Sequence, residues 1–147
     1  MKILLIGGTG IISTAVSKAL LAAGHELWLI NRGTHNHILP EGANYITGDI
    51  NDTNAMEKAL SGQSFDCIAD FIVLKPEQIE RDYHLFHGRT KQYIFISSAS
   101  AYQKPLSHYE ITESTPLSNP YWDYAANKIL CENKLMDFYR KTGFPAT

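Results

Sequence analysis

Two groups of residues in this chain have types and spacings suited to chemistry. Gly7-Gly8-Thr9-Gly10 lies between an apolar run and a helical pattern, and Tyr124-Ala125-Ala126-Asn127-Lys128 is the single Tyr-x-x-x-Lys of the sequence. A glycine turn that opens a helix lets the backbone approach a pyrophosphate closely. The unpaired N–H groups and the positive end of the helix dipole then face the anion. Tyr124 and Lys128 share one face if the segment around them is helical. A phenol titrates at about pH 10, too high to act as a base at neutrality, but a neighbouring ammonium favours the phenolate. The pair is therefore a candidate general acid/base. Together the two groups predict redox chemistry on a nicotinamide cofactor. With eight tyrosines among 147 residues, composition alone supplies about half a Tyr-x-x-x-Lys, so the location of the motif must carry the weight.

The turn has two readings, Gly8-x-Gly10-x-x-Ser13 and Gly7-x-x-Gly10-x-x-Ser13, each with serine in place of the last glycine of a dinucleotide fingerprint. Gly7, Gly10 and the opening residues of the helix, Ile11 and Ile12, are the predicted phosphate contacts. The alternative is an ordinary strand-to-helix turn. Ile3-Leu4-Leu5-Ile6 reads as a strand buried on both faces. Ile11 to Ala23 reads as a helix with Ile12, Val16, Ala19, Leu20 and Ala23 on its apolar face, ended by Gly24.

Further strands are expected over Glu26 to Ile30, Ala43 to Thr47, within Phe65 to Val73, and over Gln92 to Ile96. Helices are expected from Thr53 to Leu60 with Asp52 as N-cap, and from Pro76 to His87 with Ile79, Tyr83 and Phe86 on one face. Such alternation implies right-handed crossovers and a doubly wound parallel α/β sheet with helices on both faces. Ligands in that architecture sit at the carboxyl ends of the strands. A length of 147 residues, 44% hydrophobic content and a net charge of −2 suit one globular domain with no global attraction to nucleic acid or acidic membranes. Cys67 and Cys131 read as free thiols of a reducing compartment, and no apolar run is long enough for a membrane span. The expected location is cytoplasmic.

An irregular stretch from Ala99 to Asn119 carries Tyr102, His108, Tyr109, Glu110 and Glu113, and is either a substrate-facing loop or a plain surface excursion. The helix after it, Tyr121 to Thr142, closes at Gly143 and bears the Tyr-Lys pair. Ser97-Ser98 leaves the carboxyl end of the fifth strand. A hydroxyl there either bonds a substrate oxygen and shares a proton with Tyr124, or satisfies local backbone groups.

In this order, Gly7-Gly8-Thr9-Gly10, Gly48-Asp49-Ile50, Ser97-Ser98 and Tyr124-x-x-x-Lys128 resemble the short-chain dehydrogenase/reductase superfamily, most closely its extended, NAD-dependent epimerase/dehydratase branch. The resemblance spans the whole chain and implies a Rossmann-like fold. It also implies Ser98 as the partner of a substrate oxygen, Tyr124 as acid/base, Lys128 as tuner of Tyr124 and ligand of the nicotinamide ribose, and Asp49 and Ile50 beside the adenine. Hydride transfer at a carbinol or carbonyl carbon follows, with nucleotide sugars the branch's commonest substrates and a homodimer its common assembly. Members of the branch continue into a C-terminal half that closes over substrate. The resemblance thus implies that residues 1–147 are the dinucleotide-binding domain, with the substrate-binding part absent.

Two departures from the pattern refine these expectations. Asn31 and Arg32 stand where NAD-preferring relatives carry a carboxylate for the ribose 2′-hydroxyl, and Arg32 can meet a 2′-phosphate bidentately, so NADP is expected ahead of NAD. Asp70 is the one charge in an apolar run, expected either at the strand end facing the nicotinamide ribose or solvated at the edge. A non-enzymatic alternative is an RNA-binding or cofactor-sensing protein on the same fold, with Lys75, Arg81, Arg89 and Lys91 as a basic patch interrupted by Glu77, Glu80 and Asp82. His35-x-His37 and His84-x-x-His87 lack the partners of a metal site, and no metal is expected. Tyr83, Phe86, Phe138 and Tyr139 are read either as a subunit-pairing face or as core.

Overall fold

The computed structural model describes residues 1–33 and 40–147. The elements run β1 (Lys2–Ile6), α1 (Ile11–Ala22), β2 (Glu26–Asn31), β3 (Asn44–Thr47), α2 (Thr53–Ala59), β4 (Cys67–Asp70), α3 (Pro76–Phe86), β5 (Tyr93–Phe95) and α4 (Asp123–Thr142), with a 3-10 turn at Ala99–Ala101. The strands form one parallel sheet in the order β3-β2-β1-β4-β5. The order reverses at β1, and a crevice forms between β1 and β4 at their carboxyl ends, where Ile6 pairs with Asp70.

Successive side chains of β1 go to opposite faces. Leu4 and Ile6 join a core with Ile68, Tyr93 and residues of α2, α3 and α4, whereas Ile3 and Leu5 meet Leu27, Leu29 and the Val16, Leu20 and Leu21 side chains of α1. Local signals set most helix ends. The Asp52 carboxylate accepts from the Ala55 amide at 3.0 Å, Pro76 opens α3, and Gly143 closes α4 in the left-handed region at φ 71°.

Helix α1 differs from its expected face. Val16 and Leu20 turn inward, but the deeply buried positions are Ser13 and Ser17, while Ile12 is 66% exposed. The glycine turn fixes the rotational phase of the helix. Its small residues lie against the sheet, and Ile11 and Ile12 are left at the mouth of the crevice.

The stretch from Ala99 to Asn119 folds back on itself. The Gln103 amide donates to the Pro116 carbonyl and the Lys104 amide to that of Ser118, each at 2.8 Å, and Asn119 Nδ2 ties the base to the Ser100 carbonyl at 2.8 Å. Beyond α4, Ala146 makes a parallel bridge to Tyr93. Among the described residues no helix is long and apolar enough to cross a membrane.

Both cysteines are buried free thiols, and burial pushes each thiol up, Cys131 to about 11. Neither is expected to react with an aromatic disulfide reagent at mildly alkaline pH until the chain is denatured, when two thiols should appear. Titration of a thiol in the native chain would contradict this packing.

Candidate functional site

The glycine turn builds the floor of the crevice. Gly7 has φ +80°, which a side chain rarely adopts, and a Cβ there would lie 2.3 Å from Ile72 Cγ2 on the opposite wall. Ser13 explains why the last glycine is dispensable. Its hydroxyl accepts from the Gly10 amide at 2.9 Å and donates to the Gly7 carbonyl at 2.8 Å, pinning the turn from inside. The Thr14 amide makes the bond to the Gly10 carbonyl at 2.9 Å that begins the α1 ladder, so the amides of Ile11, Ile12 and Ser13 precede it. No acidic residue occupies the first turn of α1.

From this floor a cleft of about 790 Å³ opens along the carboxyl edge of the sheet. Gly7, Gly10, Ile11, Ile12, Asn31, Arg32, Asp49, Ile50, Tyr124 and Lys128 all line it, so ten of the twelve residues singled out by sequence are brought together. Asn31 Oδ1 holds the Gly33 amide at 2.8 Å, while its buried Nδ2 has no hydrogen-bond partner among the described residues. Asp49 Oδ1 accepts from both the amide and Nδ2 of Asn51 at 2.9 Å.

At the other end, Tyr124 is half-buried with its ring 4.8 Å from that of Trp122. Lys128 is 3% exposed. Its Nζ lies 5.7 Å from the Tyr124 ring centroid and donates to the carbonyls of Val73 and Ile96, each at 2.7 Å. Burial pulls Lys128 below the usual lysine range, opposed in part by its charge interactions with Cys131, Asp70 and Glu132. The two carbonyls engage two of the three ammonium donors and leave one.

Two expected residues stand apart from the cleft. Ser98 caps the 3-10 turn, its Oγ accepting from the Ser100 amide at 3.2 Å and lying 2.9 Å from Ser100 Oγ. Ser97 lines the cleft instead, with its hydroxyl donated to Glu132. Asp70 is neither ribose-facing nor solvated. It is fully buried behind the wall, and its Oδ1 accepts from the amides of Ile72 at 2.6 Å and Val73 at 3.1 Å. Arg81 reaches its Oδ2 at 3.3 Å. Sequence reasoning missed the wall made by Phe71, Ile72 and Leu74, which follow the carboxyl end of β4 and were legible by that position alone.

The other expected surfaces do not assemble. Arg81 is buried against Asp82, Arg89 donates to the Leu60 carbonyl and Lys91 pairs with Asp66 at 2.7 Å, so the basic patch is divided. Tyr83 stacks on Phe138 with centroids 4.0 Å apart and Phe86 is fully buried, which leaves Tyr139 exposed among the four aromatic residues. No residue from 99 to 119 lines the cleft. His84 sits 2.9 Å from Glu57, His35 and His37 lie outside the described residues, and no metal-binding cluster occurs among those described.

A dinucleotide suits this site on observations of the chain itself. A Cβ at Gly7 would obstruct the turn, the first turn of α1 holds no acid to compete with an anion, and Asn31 Nδ2, a buried donor with no partner among the described residues, lies at the end of β2.

The profile of the NAD dependent epimerase/dehydratase family matches residues 3–147. A UDP-glucose 4-epimerase of Lactobacillus helveticus is 28% identical over 151 residues, covering 90% of this chain and 45% of that protein. The chloroplast stem-loop binding protein of 41 kDa b from Arabidopsis thaliana is 30% identical over 116 residues, covering 70% of this chain and 30% of that one. The chain thus spans about half the length of the curated epimerases it matches. Among solved structures, the UDP-glucose 4-epimerase of Brucella ovis in complex with NAD superposes with a TM-score of 0.81 at 20% identity, over 99% of this chain and 50% of that one.

Proposed function

This chain belongs to the NAD dependent epimerase/dehydratase family, and from that premise we propose that it takes part in NAD(P)-dependent hydride transfer at a carbinol or carbonyl carbon of a nucleotide sugar. One observation carries the reading. The Tyr124-Lys128 pair opens onto the same cleft as the glycine turn. Relatives named as UDP-glucose 4-epimerases support the substrate class.

In this reading Gly7, Gly10 and the amides of Ile11 and Ile12 hold the diphosphate, Asp49 and Ile50 flank the adenine, and the remaining ammonium N–H of Lys128 meets the nicotinamide ribose. The bound nicotinamide supplies the hydride acceptor or donor. Tyr124 takes the proton of the substrate hydroxyl as hydride leaves the carbon, and returns it in the reverse direction. Lys128 places its ammonium 5.7 Å from the centroid of the phenol ring. Ser98 joins this set by exchanging its bond to Ser100 for a substrate oxygen. Ile72, Leu74 and Ile96 add apolar lining to the same cleft.

Arg32 and the missing carboxylate at Asn31 favour NADP over NAD. Fluorescence titration with the two reduced cofactors tests the whole reading: binding of either supports it, and binding of neither defeats it. In the same titration Arg32→Ala is expected to weaken NADPH about tenfold, the loss of one charge-assisted phosphate contact, with NADH within about twofold. Tighter binding of NADH to the unaltered chain would reverse the preference. Similarity to a stem-loop binding protein keeps an RNA-binding reading in view, but the engaged states of Arg81, Arg89 and Lys91 offer it no continuous phosphate track.

A further inference from the structure

Behind the cleft lies a buried polar chain that the proposed chemistry does not use. Arg81, on α3, spreads its guanidinium over three partners. Nε and Nη2 bond Asp82 Oδ1 at 2.8 and 2.7 Å, Nη2 reaches Asp70 Oδ2 at 3.3 Å, and Nη1 donates to Asn51 Oδ1 at 2.7 Å. Tyr93 closes the far end by donating to Asp82 Oδ2 at 2.5 Å.

Each partner continues into a wall of the cleft. Asn51 donates its amide and Nδ2 to Asp49, which shapes the turn leaving β3. Asp70 holds the amides of Ile72 and Val73, which shapes the turn leaving β4, and the Val73 carbonyl in turn accepts from Lys128. The two turns come from strands that are not neighbours, since β2 and β1 lie between β3 and β4. No backbone ladder joins them directly, and beyond the strand ends the side chains of Arg81, Asn51 and Asp70 are what link the two turns. A rigid planar fork with fixed donor directions can set their separation where a flexible ammonium cannot.

We propose that Arg81 is a positioning residue whose guanidinium, through Asn51 on one side and Asp70 on the other, holds the β3 and β4 exit turns at the spacing that grips the adenosine half of a dinucleotide. This rests on the function proposed above and assigns Arg81 and Asn51 a part in it. Contact with the ligand is left to the turns, and the guanidinium acts from behind them.

The test compares the unaltered chain with Asn51→Ala, Arg81→Lys and the double variant, using ADP-ribose, nicotinamide mononucleotide and the reduced dinucleotides as probes. Asn51 is exposed and itself lines the cleft, so its truncation leaves the buried ion pairs in place even if Arg81→Lys fails to fold, and the double variant separates loss of the tether from loss of a direct ligand contact. Asn51→Ala is expected to weaken ADP-ribose and the dinucleotides together, about tenfold, with nicotinamide mononucleotide unchanged. Where Arg81→Lys folds, the double variant should bind no worse than the poorer single one, because both cut the same tether. A lower melting temperature with unchanged affinity, or additive losses in the double variant, would overturn the proposal. Binding by the unaltered chain with no effect of Asn51→Ala overturns this inference alone. If the unaltered chain binds no dinucleotide, the function proposed above falls with it.

Discussion

Replacing Tyr124 by phenylalanine is expected to lower hydride transfer by about two to four orders of magnitude, the range that a positioned acid/base contributes, while the dinucleotide Kd stays within about twofold. The substitution removes one oxygen and keeps the ring. The contact with Trp122 survives, and so does the Lys128 ammonium on its two carbonyls. In the proposed reading the cofactor is held by the glycine turn, the β3 exit and Lys128, none of which the change touches. Among the described residues that line the cleft, Tyr124 offers the titratable oxygen next to Lys128, so in the proposed mechanism the chemical step carries the loss. Single-turnover formation of reduced nicotinamide with a UDP-hexose, read by absorbance, separates the two quantities. A variant that transfers hydride at the original rate would remove Tyr124 from the mechanism, and one that lost cofactor binding in proportion would make it a wall residue. In either result the family relationship would stand and the proposed acid/base would not.

Elements with local causes were legible in the sequence. Gly7 and Gly10, the Asp52 cap, Pro76 and the Gly143 stop act within one turn of chain, and each lies where the spacing implied. The rotational phase of α1 was not legible. Apolar spacing favoured Ile12, but the turn that delivers the helix decides which side meets the sheet, and it selects Ser13 and Ser17. Ser13 likewise counted as a departure from a glycine pattern until its hydroxyl was seen between Gly7 and Gly10. Asp70 was hidden for a different reason. A carboxylate in an apolar strand must have a partner, but its partner lay on α3. A signal existed there, since Ile79, Asp82 and Phe86 recur at helical spacing on one buried face. An acid at such a position requires a cation or a proton close by, and Arg81 is adjacent.

That buried cluster has the second large consequence. Replacing Arg81 by methionine is expected to destabilise the chain by about 3–5 kcal/mol at neutral pH, since Asp70 and Asp82 would remain buried without their cation. Against the roughly 5–15 kcal/mol of a whole domain this is a large share. The loss should also depend on pH with a definite sign. Burial first, and the nearby Asp82 anion second, push Asp70 well above the ordinary carboxylate range, and burial raises Asp82 despite Arg81. A carboxylate with a raised folded pKa contributes stability that is fully present below the ordinary value and is lost as pH rises through the folded one. Without the guanidinium both groups move further up. The deficit of Arg81→Met relative to the unaltered chain should then be greatest at and above neutrality and shrink in acid, as the two carboxyls take up protons and lose the need for a cation. Asp66, held below its usual range chiefly by its bond to Lys91, acts with the opposite sign but is common to both chains and cancels in the difference. Urea midpoints of the two chains across the acid-to-neutral range measure this directly. A deficit of the same size at every pH would mean that Arg81 stabilises the fold by packing its stem, and that the charge it places between β4 and α3 is incidental.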